Sequence, residues 1–157
     1  MSDVVFSDLY PVKNRVKGII PTASGWGTPP DHLERCTDLD WDTPTGTGST
    51  TLSAAADYGF IDFDMGAEYK VMLRAKIGIW STANNTYLNL GVWNPATSSW
   101  QYSGYALFYW GSTTEMIAFI FVPFFKAQKF RIRFYCSGAA TAYARIYEVQ
   151  AIDLGLP

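Results

Sequence analysis

Residues 69–80 (Tyr-Lys-Val-Met-Leu-Arg-Ala-Lys-Ile-Gly-Ile-Trp) alternate apolar and polar side chains, and this period of two constrains the fold more than any other feature. Val71, Leu73, Ala75, Ile77 and Ile79 fall on one face and Arg74 and Lys76 on the other, the pattern of an antiparallel strand buried on one side. Residues 129–136 repeat it, with Phe130, Ile132, Phe134 and Cys136 inward and Arg131, Arg133 and Tyr135 outward. Further strands are predicted at residues 60–64, 86–93, 100–102, 105–110, 115–122 and 143–152. Turn dipeptides such as Asn84-Asn85, Asn94-Pro95, Ser103-Gly104 and Ser137-Gly138 separate several of them. Helical periodicity is nearly absent. Short strands at this spacing predict an all-β, antiparallel β-sandwich.

The length of 157 residues fits one domain over residues 1–157. Residues 21–53 differ from the rest, being rich in Gly, Pro, Thr and Asp. They are expected to form a long ordered loop carrying one or two short strands, pinned to the body by Trp26 and Trp41. Charged residues make up only 17% of the chain, against 48% hydrophobic, which leaves apolar surface beyond one small core and points to an interface. A net charge of -2 removes the electrostatic basis for phosphate-backbone binding, so nucleic acid is not expected as a partner. The start, Met-Ser-Asp-Val-Val-Phe-Ser-Asp, lacks the basic and apolar segments of a secretory signal. Residues 116–125 are the most apolar run, yet they cover about half of the roughly 20 residues needed to cross a bilayer. They are expected to be a buried strand pair joined near Pro123, with no membrane involved.

Chemistry-bearing clusters are sparse. Cys36 and Cys136 read as two small buried thiols or one bridge. His32 is the single histidine and no Cys-x-x-Cys exists, which leaves no four-ligand zinc site without carboxylates. Asp38, Asp40 and Asp42 stand at alternate positions, as oxygen ligands do in the first half of a calcium loop. Thr43 and Ser49 replace the Gly and Glu of an EF-hand. A looser calcium site and a turn whose carboxylates bond nearby amides are both open, and no other cofactor is expected. A serine nucleophile lacks a base and a Gly-x-Ser-x-Gly elbow. Carboxylates for glycoside hydrolysis would have to come from Asp57, Asp62, Asp64, Glu68, Glu115 or Glu148, of which Asp62 and Asp64 read as an ordinary polar strand face. No catalysis is expected.

Aromatic residues are the distinctive resource. Trp93-Asn94 and Trp100-Gln101-Tyr102 flank a polar turn, where rings could stack on sugar faces while Asn94 and Gln101 bond hydroxyls; core and hairpin packing is the plainer reading. The Phe-rich run with Phe119, Phe121, Phe124 and Phe125 fits a contact between subunits.

Three stretches together resemble the discoidin or galactose-binding-like jelly-roll family. These are Cys-Thr-Asp-Leu-Asp-Trp-Asp-Thr-Pro-Thr from residue 36, Gly-Phe-Ile-Asp-Phe-Asp-Met-Gly-Ala-Glu-Tyr-Lys-Val from residue 59, and Ala-Tyr-Ala-Arg-Ile-Tyr-Glu-Val-Gln-Ala-Ile-Asp from residue 142. They are similar to the family's Asp-rich loop, its strand-turn-strand and its last strand, in that order. The resemblance implies a jelly-roll β-sandwich with ligand loops at one end, calcium often in the Asp-rich loop, and binding of glycan, lipid head group or protein without catalysis. The cysteine pair that often links the two ends in that family does not stand at the ends here, and no sugar-binding triad aligns.

A sandwich low in charge, rich in rings and without a signal is expected to be a virion structural protein, a capsid decoration or tail accessory subunit. It would be made in the cytoplasm and assemble with itself or with capsid or tail proteins. The alternative is a carbohydrate-binding module that recognises glycans through its loop aromatics.

Overall fold

The computed structural model describes residues 13–104 and 106–155. In chain order the strands are β1 (Lys13–Asn14), β2 (Thr22–Ser24), β3 (Gly48–Leu52), β4 (Ala56–Ser81), β5 (Thr86–Asn94), β6 (Ser99–Tyr102), β7 (Phe108–Trp110), β8 (Met116–Cys136) and β9 (Ala140–Asp153). One 3-10 turn, Leu33–Thr37, lies in the long loop between β2 and β3. Tyr105 and the N-terminal residues 1–8 lie outside the described residues.

The backbone of the fold is a two-stranded ribbon. β4 and β8 pair antiparallel from Ala56↔Cys136 to Ile79↔Met116, with a register shift between Asp64 and Tyr69 where the ribbon passes from one layer to the other. In the first layer β2 flanks the early half of β4, and β5 flanks the late half of β8, with β6 and β7 on the far edge of β5. In the second layer β9 flanks the late half of β4 and carries β3 and β1 on its other edge. All these pairings are antiparallel.

Period-two alternation decides what lies between the layers. Ile61 and Phe63 face inward from the first half of β4, and Val71, Leu73, Ile77 and Ile79 from the second, all fully buried. Phe63 stacks on Phe130 at 4.9 Å, and the Tyr58 hydroxyl reaches across the core to donate to the Tyr143 carbonyl at 3.5 Å. Trp26 closes one side, with its ring 5.1 Å from Phe134 and 5.7 Å from Tyr58 and its Nε1–H donating to the Phe60 carbonyl at 3.1 Å. Gly59 lies beneath that indole: a Cβ there would come within 2.1 Å of the ring, so only glycine lets Trp26 seat. Cys36 and Cys136 are both free and buried.

Two expectations are corrected. The strands expected at 60–64 and 69–80 are parts of one strand, β4, and those expected at 115–122 and 129–136 merge into β8, which begins at Met116, because each strand of the ribbon serves both layers. Pro123 is therefore no joint between two strands. It sits inside β8 at a register shift opposite Met72, tolerated because this half of β8 is an edge strand, where a missing N–H breaks no second ladder. Nor is the run wholly buried: Ala118 and Ile120 face inward, whereas Phe119 and Phe121 point out at 76% and 62% exposure. No helix of the described residues is long and apolar enough to cross a membrane.

Candidate functional site

The outer face of the first layer gathers the residues that alternation turns away from the core. One transverse row runs Asp62↔Arg131↔Gly91↔Tyr102 across β4, β8, β5 and β6. Toward one end lie Asp64↔Lys129 and Trp93↔Trp100, and toward the other Phe60↔Arg133↔Asn89 and then Tyr135↔Tyr87↔Tyr109.

Arg131 organises the centre. Its guanidinium donates to both Asp62 oxygens at 2.8 and 2.7 Å and to the Tyr102 hydroxyl at 3.1 Å. The same group lies 4.0 Å from the Trp100 ring centroid and 4.4 Å from that of Phe60, so it is held between two aromatic planes. Only 13% of the Arg131 side chain and 26% of Asp62 is exposed, which makes this bidentate pair stronger than a surface one. Gly91 makes the convergence feasible, since a Cβ there would lie 2.8 Å from Arg131 Cγ and 2.9 Å from the Tyr102 ring. One row along, Arg133 Nε donates to Asp57 at 2.5 Å and its guanidinium lies 4.7 Å from the Tyr102 centroid.

Trp93 and Trp100 meet edge to face at 5.3 Å, a cross-strand pair. Beside them opens a cavity of about 300 Å³ whose walls include Ile19, Ile20, Asp62, Asp64 and both tryptophans. Asp64 accepts the Gly66 N–H at 2.9 Å and faces Lys129 Nζ at 3.4 Å; chiefly that backbone bond holds its carboxyl below the usual range. Apolar walls with a few fixed polar groups suit a small polyhydroxylated ligand.

Of the sequence-derived ligand residues, the structure brings Trp93, Trp100 and Tyr102 to this face. Asn94 is engaged in the hairpin turn, its Oδ1 accepting the Ala96 N–H at 3.0 Å, and Gln101 lies on the opposite side of β6, paired with Val92. Arg131, Asp62, Lys129, Ile19 and Ile20 were not among the residues expected to bind ligand. The outward positions of Arg131 and Asp62 were readable from alternation, but not their meeting.

The Asp-rich loop is a run of turns held by its own carboxylates. Asp38 accepts the Asp40 N–H at 2.9 Å, and Asp40 accepts those of Asp42 at 2.9 Å and Thr43 at 3.3 Å, so their side chains serve successive turns. Among the described residues, no three His, Cys, Asp or Glu side chains lie close enough together to hold a metal. The loop is instead tied to β9 through Glu148, which is wholly buried and accepts the Leu39 N–H at 3.1 Å. Burial, with help from Asp38 and Asp40, pushes the Glu148 carboxyl up from 4.5 to about 7. Its proton is therefore held more tightly in the folded chain than in the unfolded one. This contribution to stability is full below pH 4.5 and is lost as pH rises toward 7, at up to about 1.4 kcal/mol per pH unit. Glu148→Gln is expected to flatten this dependence, read as urea midpoints across that range; an unchanged slope would assign it to another group.

Phe119, Phe121 and Phe124 line the free edge of β8 at 76%, 62% and 42% exposure, whereas Phe125 turns in against Phe130 at 5.7 Å.

No protein-family model matches the chain, and no curated protein matches it. Solved structures do. A selenomethionine-labelled mutant of chitosan-binding module 1, from the chitosanase/glucanase of Paenibacillus sp. IK-5, is similar at 12% identity and a TM-score of 0.51, over 88% of this chain and 97% of that one. Chitosan-binding module 2 of the same enzyme, in complex with chitotriose, is similar at 14% identity and a TM-score of 0.48, over 88% and 98%. CpGH89CBM32-6 produced by Clostridium perfringens is similar at 12% identity and 0.46, over 90% and 99%. Only the first of these three scores is above 0.5. With the observed topology, the likeness shows that the chain has an all-β, antiparallel β-sandwich fold.

Proposed function

We propose that this chain is a non-catalytic glycan-binding domain whose site is the outer face of its first layer. The observation that carries the proposal is the cavity flanked by Trp93 and Trp100, where aromatic and aliphatic walls stand beside the fixed carboxylates of Asp62 and Asp64. The name of the Paenibacillus module is in keeping with this reading, although a likeness at 12% identity speaks to fold alone. The carbohydrate-binding alternative thus takes the place of the virion role, which gains no support from these neighbours.

The carboxylates considered for hydrolysis are already engaged. Asp57, Asp62, Asp64, Glu68 and Glu115 each face an Arg or Lys, and Glu148 is buried under the Asp-rich loop, which supports binding over catalysis.

Trp100→Ala is expected to weaken glycan binding at least about tenfold, the loss of one stacked aromatic face, while leaving the far-ultraviolet circular dichroism unchanged. A glycan array probed with both proteins measures this. Equal binding by the two would remove the site from this face. Assembly through the β8 edge is the second reading, favoured by the exposed Phe119 and Phe121, and sedimentation in solution separates a monomer from a self-associating chain.

A further inference from the structure

We infer that the ligand of this face is an extended, uncharged glycan chain lying along β5 and β8, rather than a single terminal sugar or a charged polysaccharide. The inference rests on the glycan-binding reading and adds the ligand's length and charge.

Length follows from a second cavity on the same face. It measures about 400 Å³, and its walls include Tyr87, Asn89, Arg133, Tyr135 and Ser137, none of which lines the cavity beside Trp93. Trp93 and Tyr87 stand at opposite ends of β5 with their side chains on the same side, six residues and so about 20 Å apart. Rings mark both ends: the tryptophan pair at one, and at the other Tyr87 stacked on Tyr109 at 5.8 Å and tilted against Tyr135 at 6.1 Å. Between them lie Arg131, Arg133 and Tyr102, whose hydroxyl accepts from Arg131 and whose ring Arg133 approaches. A single sugar would use one cavity and leave the other end of the platform idle; a chain crossing Tyr102 reaches both.

Charge follows from the pairing of that floor. Asp57 meets Arg133 at 2.5 Å, Asp62 meets Arg131 at 2.7 Å and Asp64 meets Lys129 at 3.4 Å, so three carboxylates and three cations cancel. To meet a polyanion at the centre of the platform Arg131 would have to leave Asp62, and to meet a polycation Asp62 would have to leave Arg131, with one side of this bidentate, largely buried pair left uncompensated. Neutral hydroxyls make no such demand. They can accept from an Arg N–H or donate to an Asp oxygen that keeps its partner, while the apolar faces of the sugar rings lie on Trp100, Tyr102 and Tyr87.

Calorimetric titration of the whole chain with linear gluco-, manno- and xylo-oligosaccharides of increasing length tests this, alongside glucosamine and uronic-acid oligomers. Affinity for a neutral series is expected to rise at least about tenfold from its shortest members to those long enough to span both cavities. Tyr87→Ala is expected to abolish that rise and leave short oligomers unaffected, whereas Tyr87→Phe keeps it, which separates loss of the ring from loss of the fold. Affinity independent of length, or tighter binding of a charged series, would overturn the inference while leaving glycan binding intact. Absence of binding by all these oligomers would overturn the glycan reading and this inference with it.

Discussion

Phe134→Ala is expected to lower the stability of the domain by about 3–5 kcal/mol, the range for emptying a large aromatic site in a packed core. Phe134 is fully buried on β8 and packs against Tyr58 at 5.7 Å and Trp26 at 5.1 Å. Its loss leaves the ring cluster that joins the β2–β3 loop to the first layer without its centre. Urea denaturation reads the effect as a lower midpoint at unchanged slope. The control is Phe119→Ala on the same strand, expected to change stability by no more than about 0.5 kcal/mol because that ring is 76% exposed. Equal costs at the two positions would contradict the assignment of which face of β8 is buried.

Arg131→Met is expected to cost about 1.5–3 kcal/mol and to weaken glycan binding at least tenfold. The estimate is below that for a fully buried pair because Asp62 keeps 26% of its side chain in solvent. Methionine retains the apolar stem but loses both bonds to Asp62, the bond to Tyr102 and the cation beneath Trp100. Adding Asp62→Asn is expected to restore part of the stability, since the uncompensated charge goes, but none of the binding, since Trp100 still lacks its support. Recovery of both together would mean that Arg131 matters only as a folding contact.

The core and the candidate site were legible in the sequence to different degrees. Alternation at period two is a local property, so the inward row from Val71 to Ile79 and the outward Arg131, Arg133 and Tyr135 could be read directly. Register is not local. Asp62 and Arg131 are 69 residues apart, and nothing in either strand says that they stand opposite each other. The platform is therefore legible only from pairing: alternation alone turns Arg131 and Arg133 outward and gives Asp62 and Asp64 an ordinary polar strand face.

Local backbone chemistry accounts for three other features. Asn94 precedes Pro95, a turn signal, and its amide oxygen serves that turn. Asp38 and Asp40 likewise bond the amides two residues on, an arrangement whose spacing mimics that of calcium ligands. Pro123 looked like a joint because proline interrupts a ladder, and at a sheet edge that interruption costs little.

The central claim, that ligand binds on the outer face of the first layer, is tested most directly by the indole N–H resonances of the chain's six tryptophans during titration with a neutral oligosaccharide. Trp93 and Trp100 are predicted to shift in proportion to occupancy, while Trp26, Trp41, Trp80 and Trp110 stay in place. Shifts confined to Trp80 and Trp110, with Trp93 and Trp100 unmoved, would contradict the account.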